Sequence, residues 1–372
     1  MKEPILVAQV IGKWVGGGVE AVIMNYYKNM DKSKIQFDFI CDEDSTSIPY
    51  DEIEKMGGRV ILIPPYQKVF KYQKELIRIF SENKYKIVHS NINTLSFFSL
   101  RAAKKAGVPI RIAHSHSTTN KKELKKNILK QLLRPLSKIY ATDYFACSKY
   151  AGKWLFGKKM VRDNKVTIVN NAIDVETFKY NNELRRTKRK ELGIDDDTII
   201  VGHIGRFVRQ KNHDFLIDIF KEIHNIRPNS RLLLIGKGPE EKEIKRKVNG
   251  LNLEKEVEFL GQRDDVSELY QAFDVFLLPS LYEGLPVVGI EAQASGVLCV
   301  FSSKITEEVK NVDSTIFMSL DKKAIEWADN ILKEYDQFER KDVSKEIANN
   351  GFDIREEYKK LTKKYEELVE KI

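Results

Sequence analysis

Glu283 and Glu291 bracket the segment Glu283-Gly284-Leu285-Pro286-Val287-Val288-Gly289-Ile290-Glu291. The apolar run Val275 to Leu278, bounded by Asp274 and Pro279, reads as a buried strand, so the carboxylates fall at a strand-to-helix turn. Pro286 fits the first helical turn, where its missing N–H costs nothing, and the unpaired donors of such a helix start attract phosphate. Glu283 precedes the helix and Glu291 lies about a turn and a half inside it. The two acids can therefore serve opposite ends of one ligand; the plainer alternative is two solvated glutamates beside a buried helix. Arg206 and Lys211 bracket the loop Gly205-Arg206-Phe207-Val208-Arg209-Gln210-Lys211-Asn212-His213, and two fixed cations beside a helix start suit a diphosphate.

Glycine and histidine mark two further places. Gly12-Lys13-Trp14-Val15-Gly16-Gly17-Gly18 is a loop whose backbone can approach a ligand closely, although it is not the Gly-x-Gly-x-x-Gly dinucleotide fingerprint. Val88-His89-Ser90-Asn91 and Ala113-His114-Ser115-His116-Ser117 end two strands in histidine. Such a residue is either hydrogen-bonded structure or part of a site, and two near one another shift the balance toward a site. Asp42-Glu43-Asp44 and Asp195-Asp196-Asp197 have the Asp-x-Asp spacing of a metal-holding motif but read as solvated loops, so no metal is expected.

These residues must be positioned by alternating elements. Strands are predicted at Ile5–Ile11, Phe37–Cys41, Val60–Ile63, Ile87–Val88, Ile110–Ala113, Tyr144–Cys147 and Val166–Val169. A second series runs Thr198–Ile204, Arg231–Ile235, Val257–Leu260, Val275–Leu278 and Leu298–Phe301, the last closing its sheet. Helical patterns lie between, including Glu20–Met30, Leu76–Phe80 and Thr94–Ala106, and alternation at this spacing means parallel βαβ units. Ligands in such sheets collect at the carboxyl ends of the strands. The polar run Tyr180–Lys190 reads as linker and the start of a second domain, with a hinge near 171–185.

The chain has 372 residues, long enough for two domains, with an ordinary globular composition of 42% hydrophobic and 31% charged residues. Neither a signal peptide nor a bilayer-spanning stretch is visible, and Cys41, Cys147 and Cys299 show no pairing pattern, which suits a cytoplasmic protein. The net charge of +9 is uneven: residues 1–172 carry roughly +15 and the remainder roughly −6. Within the basic half, Asn120–Tyr140 repeats Leu124, Ile128, Leu132, Leu136 and Ile139 at helical spacing. Lys121, Lys122, Lys125, Lys126, Lys130, Arg134 and Lys138 fill the rest. This stretch either buries its leucines in a core or lies on an anionic membrane surface as a peripheral contact.

Glu-x7-Glu with Gly-Leu-Pro after the first Glu resembles the signature of retaining glycosyltransferases of the GT-B fold, group 1 or family 4 type. The resemblance implies an α/β protein of two Rossmann-like parallel-sheet domains, 1–175 and 176–352, with a last helix at about 353–372 returning to the first domain. It implies a nucleotide sugar bound between them, with a UDP-sugar as the expected donor. In that family the second Glu, here Glu291, holds the ribose, while Glu283, Gly284 and Leu285 lie against the donor sugar and diphosphate. Arg206 and Lys211 neutralise the departing nucleoside diphosphate, Gly17 and Gly18 pack on it from the first domain, and Arg263 lies near the base. A histidine beside the donor sugar matches His114 first and His116 second; His89, Asn91 and His116 are candidates for the acceptor side. Asn170-Asn171-Ala172-Ile173-Asp174 resembles the family's Asn-Gly-Ile-Asp segment, with Ala172 replacing glycine.

The implied reaction moves a sugar to a glycan acceptor, with lipid-linked saccharides of capsule or exopolysaccharide assembly as the first choice and no cofactor. No covalent nucleophile stands out, so a front-face route is expected. The competing readings are another GT-B enzyme such as a UDP-sugar epimerase or a phosphorylase, and a basic protein binding nucleic acid or membrane. A nucleic-acid partner is not expected, since no reading module or aromatic-basic stripe is present.

Overall fold

The computed structural model describes residues 3–116 and 132–372 and divides the chain into two compact units: Met1–Ala172 with Ile354–Ile372, and Ile173–Asp353. Apolar runs long enough for a strand alternate with amphipathic helices, and such runs bury both faces only when a sheet is covered on both sides.

In the first unit the strands are β1 (Ile5–Gly12), β2 (Ile35–Asp42), β3 (Arg59–Ile63), β4 (Ile87–Ser90), β5 (Ile110–Ser115), β6 (Asp143–Ala146) and β7 (Thr167–Ile168). They form one seven-stranded sheet in the order β3-β2-β1-β4-β5-β6-β7, parallel throughout. Val7, Ala8 and Val10 of β1 are fully buried, as are Phe39, Ile40 and Cys41 of β2. The helix Gly18–Asn29 follows β1, and the C-terminal helix Ile354–Val369 packs against it within this unit. Tyr365 of the last helix is fully buried, its ring edge-on to Phe37 at 6.2 Å.

The second unit has β8 (Ile199–Ile204), β9 (Ser230–Ile235), β10 (Val257–Gly261), β11 (Val275–Leu278), β12 (Leu298–Ser302) and β13 (Thr315–Met318). Their order is β10-β9-β8-β11-β12-β13, again parallel. β13 corrects the expectation that Leu298–Phe301 closes the sheet: Thr315–Met318 is only 4 residues long, too short for a clear period, and pairs beyond β12. The central strands β1/β4 and β8/β11 are where the strand order of each sheet reverses, and the crevice there is where open α/β sheets bind ligands.

Three other expectations change. The polar run Tyr180–Lys190 is not a linker but mostly the helix Asn182–Glu191, capped by the Asn181 side chain, which accepts from Leu184 N at 3.0 Å. Its Arg189 is 1% exposed because the guanidinium donates to the carbonyls of Ala272, Asp195 and Thr198 and pairs with Asp274 at 3.2 Å. Charge in the sequence concealed a buried anchor. Asp42 is not solvated either: it ends β2 at 5% exposure, and burial raises its carboxyl to about 6. Ala172 is absent from the positive-φ residues, so alanine in place of glycine there needs no left-handed backbone.

Of the basic stretch 120–140, residues 120–131, including Leu124, Ile128 and Lys121 to Lys130, lie outside the described residues. Residues 132–136 are helical. There Leu133 is buried, whereas Leu132 is 65% and Ile139 56% exposed, so the expected apolar stripe through Leu132 and Ile139 is not a core face.

Candidate active site

The charged constellation of the second unit sits at the carboxyl ends of β8 and β11. The segment after β8 turns through the short helical turn Arg209–Lys211 and then Asn212, whose φ of 58° is left-handed, a conformation asparagine tolerates. The Asn212 side chain donates to Pro279 O at 3.1 Å, and Leu281 N donates to Gln210 O at 2.8 Å, which ties this loop to the one after β11. Lys211 Nζ therefore reaches Glu283 Oε1 at 2.8 Å, while Gln210 Nε2 donates to Glu283 Oε2 at 2.9 Å. Both carboxylate oxygens of a side chain only 9% exposed are held. Arg206 is exposed, and among the described residues no acid pairs with it.

A neighbouring turn makes that loop possible. Gly236, at φ +133°, lies so close to the β8 loop that a Cβ there would fall 2.2 Å from Gly205 O. Gly205 N also donates to Ile235 O at 2.9 Å, and Gly236 N to Gly261 O at 2.7 Å, knitting the loops after β8, β9 and β10 together.

Glu291 lies in the helix Val287–Ala294, which begins after Pro286 rather than at it: Pro286 occupies the cap position at ψ 116°, so the expected first-turn placement is off by one residue. No side chain caps this helix start. Glu291 Oε2 is 3.0 Å from the Tyr270 hydroxyl, which also lies 3.0 Å from Val288 O. Burial pushes the Glu291 carboxyl up to about 7, against the opposing pulls of the Tyr270 hydrogen bond and the Lys211 charge. The two glutamates are thus not equivalent: Glu283 is buried and salt-bridged, and Glu291, half-buried, is held by a phenol.

Arg263 stands apart from this group. Its guanidinium is taken by Asp265 through two bonds of 2.7 Å, and Asp265 also accepts from Lys188 at 3.0 Å, which leaves the Arg263 main chain for any ligand contact.

In the first unit Gly17 is the cap residue of the helix Gly18–Asn29, with no side-chain cap bond, and Glu20 folds back to accept from Val15 N at 3.0 Å. The histidines form a separate, buried cluster that lines a small cavity with Gln9 and Tyr365. His89 is 2%, His114 3%, His116 7% and Asn91 3% exposed, so the residues expected along a cleft wall show little of themselves to solvent. His89 Nε2 lies 2.9 Å from His114 Nδ1, and the His114 and His116 rings are 3.8 Å apart at their centroids. Burial pulls His89 and His116 down to about 3 and His114 well below its ordinary value, so all three rings are neutral near pH 7.

The Tyr365 hydroxyl lies 2.6 Å from His89 Nδ1, and Gln9 Oε1 accepts from Asn91 Nδ2 at 2.9 Å. Several of these partners escaped sequence reasoning. Gln210 lay in plain view between the two cations, and Gln9 is the one polar residue of an otherwise apolar strand run; either oddity was a usable signal. Tyr270 and Tyr365 gave none, because a tyrosine on a buried helix face looks like core.

Two parallel Rossmann-like sheets, each reversing its strand order at the centre, are the architecture of the GT-B class. The model of glycosyl transferases group 1 matches residues 185–333, and that of glycosyltransferase family 4 matches residues 16–177. EpsF of Bacillus subtilis (strain 168), classed as a glycosyltransferase, is 35% identical over 363 residues, 95% of this chain and 94% of the relative. The chain belongs to the group 1/family 4 glycosyltransferases. An Escherichia coli relative is 27% identical over 77% of this chain and 76% of its own length. It is the UDP-Gal:alpha-D-GlcNAc-diphosphoundecaprenol alpha-1,3-galactosyltransferase. Among solved structures, Anabaena HepE in complex with UDP and glucose superposes with a TM-score of 0.78 at 19% identity, covering 97% of this chain and 99% of HepE; at that identity the likeness concerns the fold. Among the described residues no helix is long and apolar enough to cross a membrane.

Proposed function

We propose that this glycosyltransferase moves a hexosyl group from a UDP-sugar to a lipid-linked saccharide in exopolysaccharide or capsule assembly, with retention and without a metal. The observation that carries the donor side is the Lys211–Glu283 pair of 2.8 Å beside the exposed Arg206. A diphosphate approaching Arg206 competes with Glu283 for Lys211, so the cations gain most when negative charge builds on the leaving group. Glu291 holds the ribose hydroxyls, Gly284 and Leu285 offer backbone to the sugar side, and the Arg263 main chain meets the base. Gly17 and Gly18 supply backbone N–H groups to the diphosphate, and His114 supplies a contact to the sugar. No carboxylate is needed as a covalent nucleophile: the leaving phosphate takes the acceptor proton on the face it departs from.

The lipid-linked acceptor and the UDP donor are supported by the name of the Escherichia coli relative, and capsule or exopolysaccharide chemistry by a Staphylococcus aureus relative of capsular polysaccharide biosynthesis, 25% identical over 88% of this chain. Exposed Leu132 and Ile139 flank Arg134 and Lys138, a composition suited to anionic headgroups around such an acceptor.

Thermal denaturation with UDP, GDP or ADP in excess chelator tests this. UDP at about 100 times its dissociation constant adds about 2.7 kcal/mol, and the shift should vanish in Glu291→Ala. Stabilisation by GDP or ADP but not UDP refutes the donor assignment, and dependence on added divalent cation refutes the metal-free reading.

A further inference from the structure

The neutral histidine cluster of the first unit has a determinate hydrogen-bond order, and it starts from an atom that can only accept. Asn91 Nδ2 lies 3.3 Å from the backbone carbonyl of His89, so that end of the amide must be the NH2. Its other proton goes to Gln9 Oε1 at 2.9 Å, which turns the Gln9 NH2 toward the Tyr365 oxygen at 3.2 Å. The Tyr365 hydroxyl proton then has one acceptor among the described residues, His89 Nδ1 at 2.6 Å. A His89 ring that accepts at Nδ1 carries its proton on Nε2 and donates it to His114 Nδ1 at 2.9 Å. His114 therefore carries its own proton on Nε2. That nitrogen is buried and has no partner among the described residues. The same Asn91, through Oδ1, accepts from His116 Nε2 at 3.0 Å and fixes that ring as well.

An unsatisfied N–H inside a packed cluster is costly unless something supplies an acceptor. We propose that Tyr365, on the C-terminal helix, is a positioning residue that acts through His89 to hold His114 as its Nε2–H tautomer, presenting a fixed neutral donor to a substrate sugar oxygen. The substrate end rests on the reading of His114 as a sugar contact given above; the tautomer order does not. A neutral donor suits a sugar hydroxyl or ring oxygen, whereas an imidazolium would draw the phosphate instead. The arrangement also gives the returning C-terminal helix a chemical task in the first unit: its removal would unlock two imidazoles.

With 6 histidines in the chain, nitrogen-15 histidine labelling of the full-length protein reads each ring directly, with single substitutions assigning the signals. The expected spectrum shows His89 and His114 each protonated at Nε2. Tyr365→Phe should convert both to tautomer mixtures and lower kcat about tenfold, with little change in KM for the nucleotide sugar. A His114 protonated at Nδ1 in the parent protein, or unchanged rings in Tyr365→Phe, overturns the proposal. For the substrate end, His114→Gln, whose amide mimics the Nε2–H donor, should retain more turnover than His114→Asn, which mimics Nδ1. Equal full activity in both would refute the sugar contact while the tautomer measurement judged the Tyr365 relay on its own.

Discussion

The two parallel sheets carry polar clusters at equivalent places, the carboxyl ends of β1, β4 and β5 in one and of β8 and β11 in the other, and treat them in opposite ways. The first cluster is neutral: His89, His114 and His116 are buried and uncharged, and their information is directional, encoded in which nitrogen holds a proton. The second keeps its charges: Lys211 and Glu283 face each other at 2.8 Å, with exposed Arg206 nearby. A sugar is a neutral, polyhydroxylated partner that rewards orientation, whereas a diphosphate rewards charge. One architecture thus holds two kinds of polar cluster, because an opposite charge within reach, and not burial alone, decides whether a buried titratable side chain is held as an ion.

The comparison can be broken most directly on its charged side. Lys211→Ala should lower initial rates by about 10²–10³-fold, in the range seen when a group stabilising transition-state charge is removed. Lys68→Ala, which removes an exposed pair with Glu43 at 2.7 Å, should leave rates unchanged. Equal rates in the two variants would mean that Lys211 does not meet developing charge.

The charged loop also depends on close backbone approach. Gly236→Ala would place a Cβ 2.2 Å from Gly205 O at a φ of +133°. It should cost about 2–3 kcal/mol in denaturant unfolding and weaken UDP binding. An unperturbed midpoint would show that the loops after β8 and β9 are not locked together.

Acid titration sharpens the neutral side. His89 and His116 fall to about 3 in the folded protein against 6.5 for a free histidine, and His203 and His213 of the second unit fall to about 3 and about 2 by the same burial. Below pH 6.5 the unfolded chain binds more protons than the folded one, so stability present above that value is lost as pH falls toward 3. Denaturation midpoints measured from pH 7.5 downward should decline; a flat profile to about pH 4 would mean that the rings are already solvated.

Glu291 gives the smallest effect and the opposite sign. Its carboxyl titrates near 7 in the fold against 4.5 when free, so the folded state binds the extra proton, and this contribution is lost as pH rises from 4.5 through 7. Glu291→Gln should remove that component, making the pH profile of the apo variant steeper on the acid side than that of the parent. Identical profiles would place Glu291 in water rather than against Tyr270.

Much of this was legible in advance, for identifiable reasons. Alternating apolar runs and helical patterns led to two parallel sheets, because a strand covered on both faces has to be apolar along its length. Arg206, Lys211, Glu283 and Glu291 could be singled out because charged residues next to apolar strand ends are conspicuous. Less legible was anything whose meaning depends on a distant neighbour. Arg189 stands in a run of charges that looks solvated, yet it is buried among carbonyls supplied by residues 195, 198 and 272. β13 is too short to announce itself, and Tyr365 reads as core until its hydroxyl is seen 2.6 Å from His89.

The sequence by itself determined the fold class and the family and singled out the cations and carboxylates that follow β8 and β11, since periodicity and local motifs are properties of neighbouring residues along the chain. Only the tertiary structure decided which acid is salt-bridged and which is held by a phenol, which histidines are neutral, and which nitrogen of His114 bears the proton. Those properties come from burial and from hydrogen bonds between residues far apart in sequence, such as Gln9, His89 and Tyr365. No local pattern records them, because the free energy of a charge or a proton is set by what surrounds it in space.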